Sequence, residues 1–180
     1  MLPKAAPVLA VELVTRPLSD SDLNDLCDAT DAAIKAGGGF GWLELPSHET
    51  LERYWQGVIT VPQRLLFVTR LDGVICGTCQ LIRPPHNNEA QKHSAQISGL
   101  FVTPWARGYG LSVQMLKRVE EEALALGHSV INLDVRETQL RAIEIYEAAG
   151  YKQIGHHPYY ARVNGDFVPG RYYTKLLAPS

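Results

Sequence analysis

The sequence predicts an α/β protein built on one mixed, mostly antiparallel sheet of six to seven strands, with helices on both faces. Three observations carry this expectation. Two apolar runs, at about 64–70 and 74–83, are joined by Leu71-Asp72-Gly73, and Asp-Gly between such runs is a strong hairpin signal. A strand-like run at about 95–102 leads through a helix at about 110–126 to another run at about 129–135. That right-handed crossover joins parallel neighbours. Helical stripes elsewhere in the chain supply apolar faces that bury a sheet.

The elements run in this order. Residues at about 8–15 alternate as a strand does. Ser19-Asp20-Ser21-Asp22 resembles a helix N-cap, because short polar side chains accept from free backbone N–H groups. The helix after it carries Leu23, Leu26, Cys27, Thr30 and Ile34 on one stripe and stops at Gly37-Gly38-Gly39. Ser47 opens a second helix, with Leu51, Tyr54, Trp55 and Val58 at core spacing. The hairpin comes next, then a polar loop from Pro84 to Ser94 and the crossover unit, whose helix stops at Gly127. A helix at about 139–149 ends at Gly150, and strands at about 151–157 and 168–177 flank a turn centred on Asn164-Gly165.

Composition bounds the function classes. The 180 residues fit one domain, taken as 1–180, and 46% hydrophobic with 20% charged residues is globular composition. The net charge of −2 argues against nucleic acid or anionic membrane as a partner, since both demand a basic excess. No apolar run approaches the ~20 residues of a membrane span. The opening residues 1–17 hold one Lys and two early prolines, and Glu12 breaks their apolar stretch, so no signal peptide is expected. Cys27, Cys76 and Cys79 leave one thiol unpaired under any intramolecular pairing, which fits a reduced, cytoplasmic protein. Cys76 and Cys79 have metal-like spacing without a second pair. On a strand they are expected to face opposite ways as buried thiols, and no metal is expected.

The stretch that carries chemistry joins the strand at about 95–102 to the long helix: Phe101, Val102, Thr103, then Arg107-Gly108-Tyr109-Gly110-Leu111-Ser112. Gly108, Gly110 and Ser112 keep bulk away from the turn, so a ligand can approach the backbone. Free N–H groups at the helix start carry partial positive charge and bind phosphate, and Arg107 adds a fixed charge. The phosphate loop ending in Gly-Lys-Ser/Thr is absent. Val113 stands where a dinucleotide fingerprint needs its third glycine.

Arg107-Gly108-Tyr109-Gly110-Leu111-Ser112 resembles the Arg/Gln-x-x-Gly-x-Gly/Ala signature of the GNAT superfamily of acetyl-CoA-dependent N-acetyltransferases, with Ser112 in the last small position. A second stretch is similar to the family's Asn-x-x-Ala-x-x-Leu-Tyr-x-x-x-Gly-Phe. It runs from Gln139 through Ala142, Ile145, Tyr146 and Gly150 to Tyr151, with Gln139 for the usual Asn. Both motifs stand in register over about 8–177. The chain looks closest to the tabtoxin-resistance-like branch, through Leu133-Asp134, Gly165-Asp166 and Tyr172-Tyr173-Thr174-Lys175-Leu176, with Gly39-Phe40-Gly41-Trp42 and Leu51-Glu52-Arg53-Tyr54-Trp55 fitting as well. Gln96 stands where that branch tends to carry Glu.

The resemblance implies the GNAT fold, with a splay between the fourth and fifth strands that takes the pantetheine arm. It implies acetyl-CoA as cofactor, with coenzyme A as product. Backbone groups of Phe101, Val102 and Thr103 then pair with pantetheine, and residues 107–112 hold the pyrophosphate. Gln139 and Ala142 contact the cofactor. An amine attacks the thioester directly through a tetrahedral intermediate, the Val102 N–H faces the oxyanion, and Tyr146 is the general acid. Read without the resemblance, Tyr146 is first of all a core aromatic beside Ala142 and Ala149, and the register of the preceding motif reverses that order. Asp134 is a candidate base or ammonium holder, or a strand-end carboxylate that caps the next segment. Gln96 is a substrate-binding candidate, and Glu137 and His86 are weaker ones. The expected acceptor is a small-molecule primary amine. An acetyl-CoA sensor and a protein or peptide N-acetyltransferase are the alternatives. A homodimer is an option if Tyr172 and Tyr173 lie at a sheet edge.

Overall fold

The computed structural model describes residues 5–38 and 40–177. Gly39 and the first four residues of the opening stretch lie outside the described residues. The elements are β1 (Leu9–Leu13), α1 (Asp20–Lys35), α2 (His48–Thr60), β2 (Arg64–Leu71), β3 (Val74–Ile82), β4 (Ser94–Val102), α3 (Leu111–Ala125), β5 (Val130–Arg136), α4 (Leu140–Ala148), β6 (Lys152–Val163) and β7 (Asp166–Leu176). They form a seven-stranded sheet in the order β1-β2-β3-β4-β5-β7-β6, in which only β4 and β5 are parallel. Among the described residues, no helix is long and apolar enough to cross a membrane.

The caps are where the sequence puts them. Ser19 Oγ accepts from the Asp22 N–H at 3.1 Å, and Ser47 Oγ from the Thr50 N–H at 3.2 Å. The alternation of β2 divides the core. Leu66 and Val68 pack under α1 and α2 with Leu26, Leu51 and Trp55. Phe67 faces the other way, onto Met115, Leu116 and Val119 of α3, in the cluster that also holds Ile143 and Tyr146 of α4. A buried polar latch ties α1 to α2: Trp55 Nε1 donates to Thr30 Oγ1 at 2.9 Å, and that hydroxyl donates to the Leu26 carbonyl at 2.6 Å.

Two irregularities open the sheet at its centre. β4 and β5 pair only through Ser94–Gln96 and Val130–Asn132, so the rest of β4 diverges from β5 and a gap opens. Opposite Cys79 of β3, β4 carries two residues, Gly99 and Leu100, a bulge that bends the strand at the mouth of that gap.

Three expectations are corrected. The thiols of Cys76 and Cys79 do not face opposite ways. Thr69 and Arg70 oppose Gly77 and Ile75, so Cys76 is the extra residue of a bulge. The bulge turns it onto Ala106 and Leu111, the α3 side, where Cys79 also packs. All three cysteines are free and buried. Tyr172 and Tyr173 do not lie at a sheet edge. β7 inserts between β5 and β6, with Leu133 opposite Tyr173, which is fully buried and donates to Glu147 Oε1 at 2.8 Å. The edge is β6. Finally, the last two strands are longer than expected and leave only Asn164-Gly165 as the turn, with φ of 51° and 90°. Pro158 masked the extension, because proline normally breaks a ladder. On an edge strand, beside a bulge, it costs little.

Candidate active site

The glycine turn is built by what surrounds it. A short helical turn, Pro104–Ala106, leads out of β4, and Gly110 caps α3 in the left-handed region with φ 72°. Among the described residues no side chain caps the helix, so the N–H groups of its first turn point outward without a protein acceptor. Leu111, Met115, Leu116, Val119 and Ala123 anchor α3 on the sheet and hold that terminus in place. Before it lies a cavity of about 160 Å³. Arg107, Gly108, Gly110, Leu111 and Ser112 form one wall, Ala33 of α1 and its C-cap Ala36 stand opposite, and Gln139 and Ala142 close it. Apart from Leu111, the residues on this wall are small or cationic. An uncapped helix terminus with a neighbouring guanidinium fits a pyrophosphate-bearing ligand. Tyr109 stands outside the lining and is half exposed.

The gap between β4 and β5 selects among Phe101, Val102 and Thr103. The Thr103 N–H bonds the Cys76 carbonyl at 2.8 Å. Main-chain groups alternate sides along a strand, so those of Val102 point away from β3, into the gap. Phe101 opposes Thr78 and directs its own main-chain groups to β3. It meets the cavity through its side chain. Thr103 is fully buried, and its hydroxyl has no partner among the described residues.

Across the gap lies a second cavity, of about 580 Å³. Leu100, Gln139 and Ala142 belong to the linings of both, so the two cavities meet there. Asp134 and Tyr146 line the second. Asp134 alternates with buried Leu133 and Val135 and faces the cavity. Its Oδ1 accepts from Gln96 Nε2 at 3.0 Å, and its Oδ2 accepts from the Tyr160 hydroxyl. Gln96 thus supports Asp134 and lines neither cavity. Tyr146 is buried on α4, and its hydroxyl has no hydrogen-bond partner among the described residues. Burial, then the nearby Cys79, Asp134 and Tyr160, push its phenol far above the ordinary value, so it stays protonated. Gln139 sits just before α4 and donates from Nε2 to the Gly37 carbonyl at 2.6 Å, tying the end of α1 to α4. Glu137 is committed elsewhere. Hydrogen bonds from Arg171 at 2.7 Å and His156 at 3.1 Å hold its carboxyl below the usual range. His86 is exposed and lines neither cavity.

Residues 29–151 match the acetyltransferase (GNAT) family. The chain belongs to this family. It is 60% identical over 124 residues, 69% of this chain and 74% of the other, to an uncharacterized N-acetyltransferase from the hisH-hisA intergenic region of Azospirillum brasilense. Its GNAT fold is similar to that of yncA from Salmonella typhimurium, solved with its cofactor acetyl-CoA. That likeness has a TM-score of 0.75 at 13% identity and covers 96% of this chain and 95% of the other. RimL, a ribosomal L7/L12 α-N-protein acetyltransferase in complex with coenzyme A, has a TM-score of 0.77 at 17% identity, covering 93% and 94%. The GNAT match begins within α1 and ends at Tyr151, so it takes in the gap and both motifs.

Several residues of this GNAT site carry little or no signal in the sequence. Tyr160, Arg136, Arg162, Phe40 and Tyr54 all line the second cavity. Tyr54, at core spacing on α2, turns its hydroxyl to a relay in which Arg64 donates to Gln80 Oε1 at 2.7 Å and Gln80 donates to that hydroxyl at 2.9 Å. Its sequence signals are a polar tip on an apolar stripe and its place in Leu51-Glu52-Arg53-Tyr54-Trp55, which, like Phe40 in Gly39-Phe40-Gly41-Trp42, resembles the tabtoxin-resistance-like branch. Tyr160 has none, because it falls after Pro158.

Proposed function

We propose that this chain transfers the acetyl group of acetyl-CoA to a primary amine of a small molecule, in the cytoplasm. The observation that carries the reading is the meeting of two cavities at Leu100, Gln139 and Ala142, one before an uncapped helix terminus and one around Asp134. The relatives that bind acetyl-CoA or coenzyme A support it. Membership of the tabtoxin-resistance-like branch belongs to the same proposal and rests on Leu133-Asp134 and Tyr172-Tyr173-Thr174-Lys175-Leu176.

Acetyl-CoA, when bound, supplies an activated acetyl thioester. The N–H groups of Gly108 to Ser112, with Arg107, hold its pyrophosphate. Gln139 and Ala142 border its path, and Phe101 backs it. The Val102 N–H is a donor for the oxygen that gains charge. Asp134 holds the acceptor ammonium and takes a proton from it, since the attacking amine must be neutral. Tyr146 keeps a proton at its hydroxyl for the departing sulfur, because a phenol stays protonated where a thiol ionises.

The test is calorimetry with coenzyme A followed by a panel of amines with thiol detection. Coenzyme A binding and thiol release above background with a small amine are expected. Binding without release from any amine points to a sensor. Release confined to peptides points to a protein N-acetyltransferase.

A further inference from the structure

We infer that the second cavity selects acceptors that carry an anionic group beside the amine, as an amino acid does, and that Arg136 and Arg162 form the subsite for that group. The inference rests on the acetyl-transfer reading of the same site and adds a substrate class to it.

The charges of the cavity carry the argument. The charged residues of its lining are one acid, Asp134, and two arginines, Arg136 and Arg162. The arginine ion pairs among the described residues are those of Arg53, Arg70, Arg118 and Arg171. Arg136 and Arg162 are in none of them. Arg136 donates from Nη2 to the Phe40 carbonyl at 3.1 Å; Arg162 donates from Nε to the Gly165 carbonyl at 3.1 Å, and its guanidinium lies over the Phe167 ring, 5.4 Å from the centroid. Each guanidinium therefore keeps donors over. The nearest acidic neighbour on the β5 end, Glu137, is taken by Arg171 and His156. Asp134 for its part accepts only neutral donors, Gln96 and Tyr160, so its charge is not cancelled by a protein cation.

Spacing completes it. Asp134 and Arg136 are two residues apart on β5, on the face opposite Leu133 and Val135. Such positions are separated by about 6.6 Å along a strand. An amine and an anion one or two bonds apart, each with a hydrogen bond outward, span a similar length. A guanidinium fork pairs with a carboxylate or phosphonate through two parallel bonds. Phe40 and Tyr54 form an aromatic wall beside the charges, with ring centroids 6.2 Å apart, and suit an apolar side chain. A polypeptide N-terminus or a plain alkylamine brings no anion to this subsite and leaves both guanidinium groups unpaired.

The experiment compares phenylalanine, its aminophosphonate analogue, phenylalaninamide, phenethylamine and a phenylalanine-led tripeptide as acceptors for the wild-type protein. The two zwitterions are expected to exceed the amide, the amine and the peptide by about 10²-fold in kcat/KM, as a site built for a polar group rejects analogues lacking it. The carboxylate and phosphonate arms show which anion is preferred. Arg136→Gln should raise KM for the zwitterion at least ~10-fold and leave the amide within about twofold. Arg136→Lys should restore part of the loss. Arg162→Gln should act in the same direction without touching the Phe40 contact, so a shifted loop is not mistaken for a lost subsite. Calorimetry of the same compounds against protein loaded with coenzyme A gives the preference without turnover. An amide or amine that binds and reacts as well as the acid overturns the inference, as does a preference that survives both substitutions. Absent thiol release with the binding preference intact overturns only the transfer reading.

Discussion

The Tyr160 hydroxyl donates to Oδ2 of Asp134 across the intervening strand β7. The contact exists because β6 and β7 are out of step. His157 pairs with Gly170 and Ala161 with Val168, so Pro158, Tyr159 and Tyr160 together face Pro169 alone. The bulge lays the Tyr160 ring over Gly170, where any Cβ would overlap it. Burial and the Asp134 hydrogen bond both raise the Tyr160 phenol, so it acts as a fixed donor.

Asp134→Asn should therefore lower turnover or raise KM for the acceptor, with cofactor affinity nearly unchanged. Tyr160→Phe should act in the same direction but more weakly, because Gln96 still orients the carboxylate. Gly170→Ala should reproduce the Tyr160→Phe defect or exceed it by displacing the ring. Steady-state kinetics with calorimetry on coenzyme A decide this. Wild-type acceptor parameters in Asp134→Asn would make the carboxylate structural.

Tyr146→Phe removes only a hydroxyl, one with no protein partner among the described residues. We expect kcat to fall ~10²–10⁴-fold with cofactor binding nearly unchanged, the range for a positioned acid. Its pKa is raised, so the protonated form persists as pH rises through the ordinary phenol value. The wild-type rate should show no alkaline loss from this group up to about pH 10. Wild-type turnover in Tyr146→Phe, where chemistry limits the rate, would return the residue to a core role.

Arg107→Glu should weaken coenzyme A binding by more than the ~1 kcal/mol of an exposed ion pair, since it sits beside an uncapped helix terminus. Gly110→Val should weaken it further. It places a branched Cβ on a residue with φ 72°, which strains the cap and crowds the cavity wall. Calorimetry checks both, with circular dichroism to confirm the fold. Unchanged affinity would remove the pyrophosphate from this turn.

The three thiols should resist alkylation in the folded protein. Burial raises Cys76 and Cys79, and burial followed by Glu52, Asp28 and Asp31 pushes Cys27 to about 11. At pH 8 that leaves about one Cys27 in a thousand as thiolate, and the fraction grows tenfold per pH unit toward 11. Iodoacetamide at pH 8 should add nothing detectable by intact mass before unfolding and three adducts in urea. A fast single adduct in the native state would show that one thiol is accessible.

What could be read from the sequence was local. Ser19 and Ser47 cap their helices through groups three residues away, and Asp72-Gly73 turns a hairpin within four. Gly110 occupies the left-handed cap that its place before α3 demands. Such features are decided by neighbours in the chain, so periodicity and turn chemistry expose them. The glycine turn and the Asp134 strand were legible for the same reason, and family resemblance supplied their register.

The tertiary structure decided what depends on partners far along the chain. The pairing of β5 with β7 puts Tyr173 in the core and hands the edge to β6, because strand order is chosen by the burial of whole faces. The bulge at Cys76 reverses an alternation that holds for an uninterrupted strand. The bulge between His157 and Ala161 carries Tyr160 to Asp134, 26 residues away. Arg136 and Arg162 come to one cavity from strands separated by a helix and a strand order that no local pattern encodes. The sequence by itself determined most of the elements, their caps and the glycine turn before α3. Packing and long-range register alone decided which side chains meet in the second cavity, because a one-residue shift at a bulge turns every later side chain to the other face.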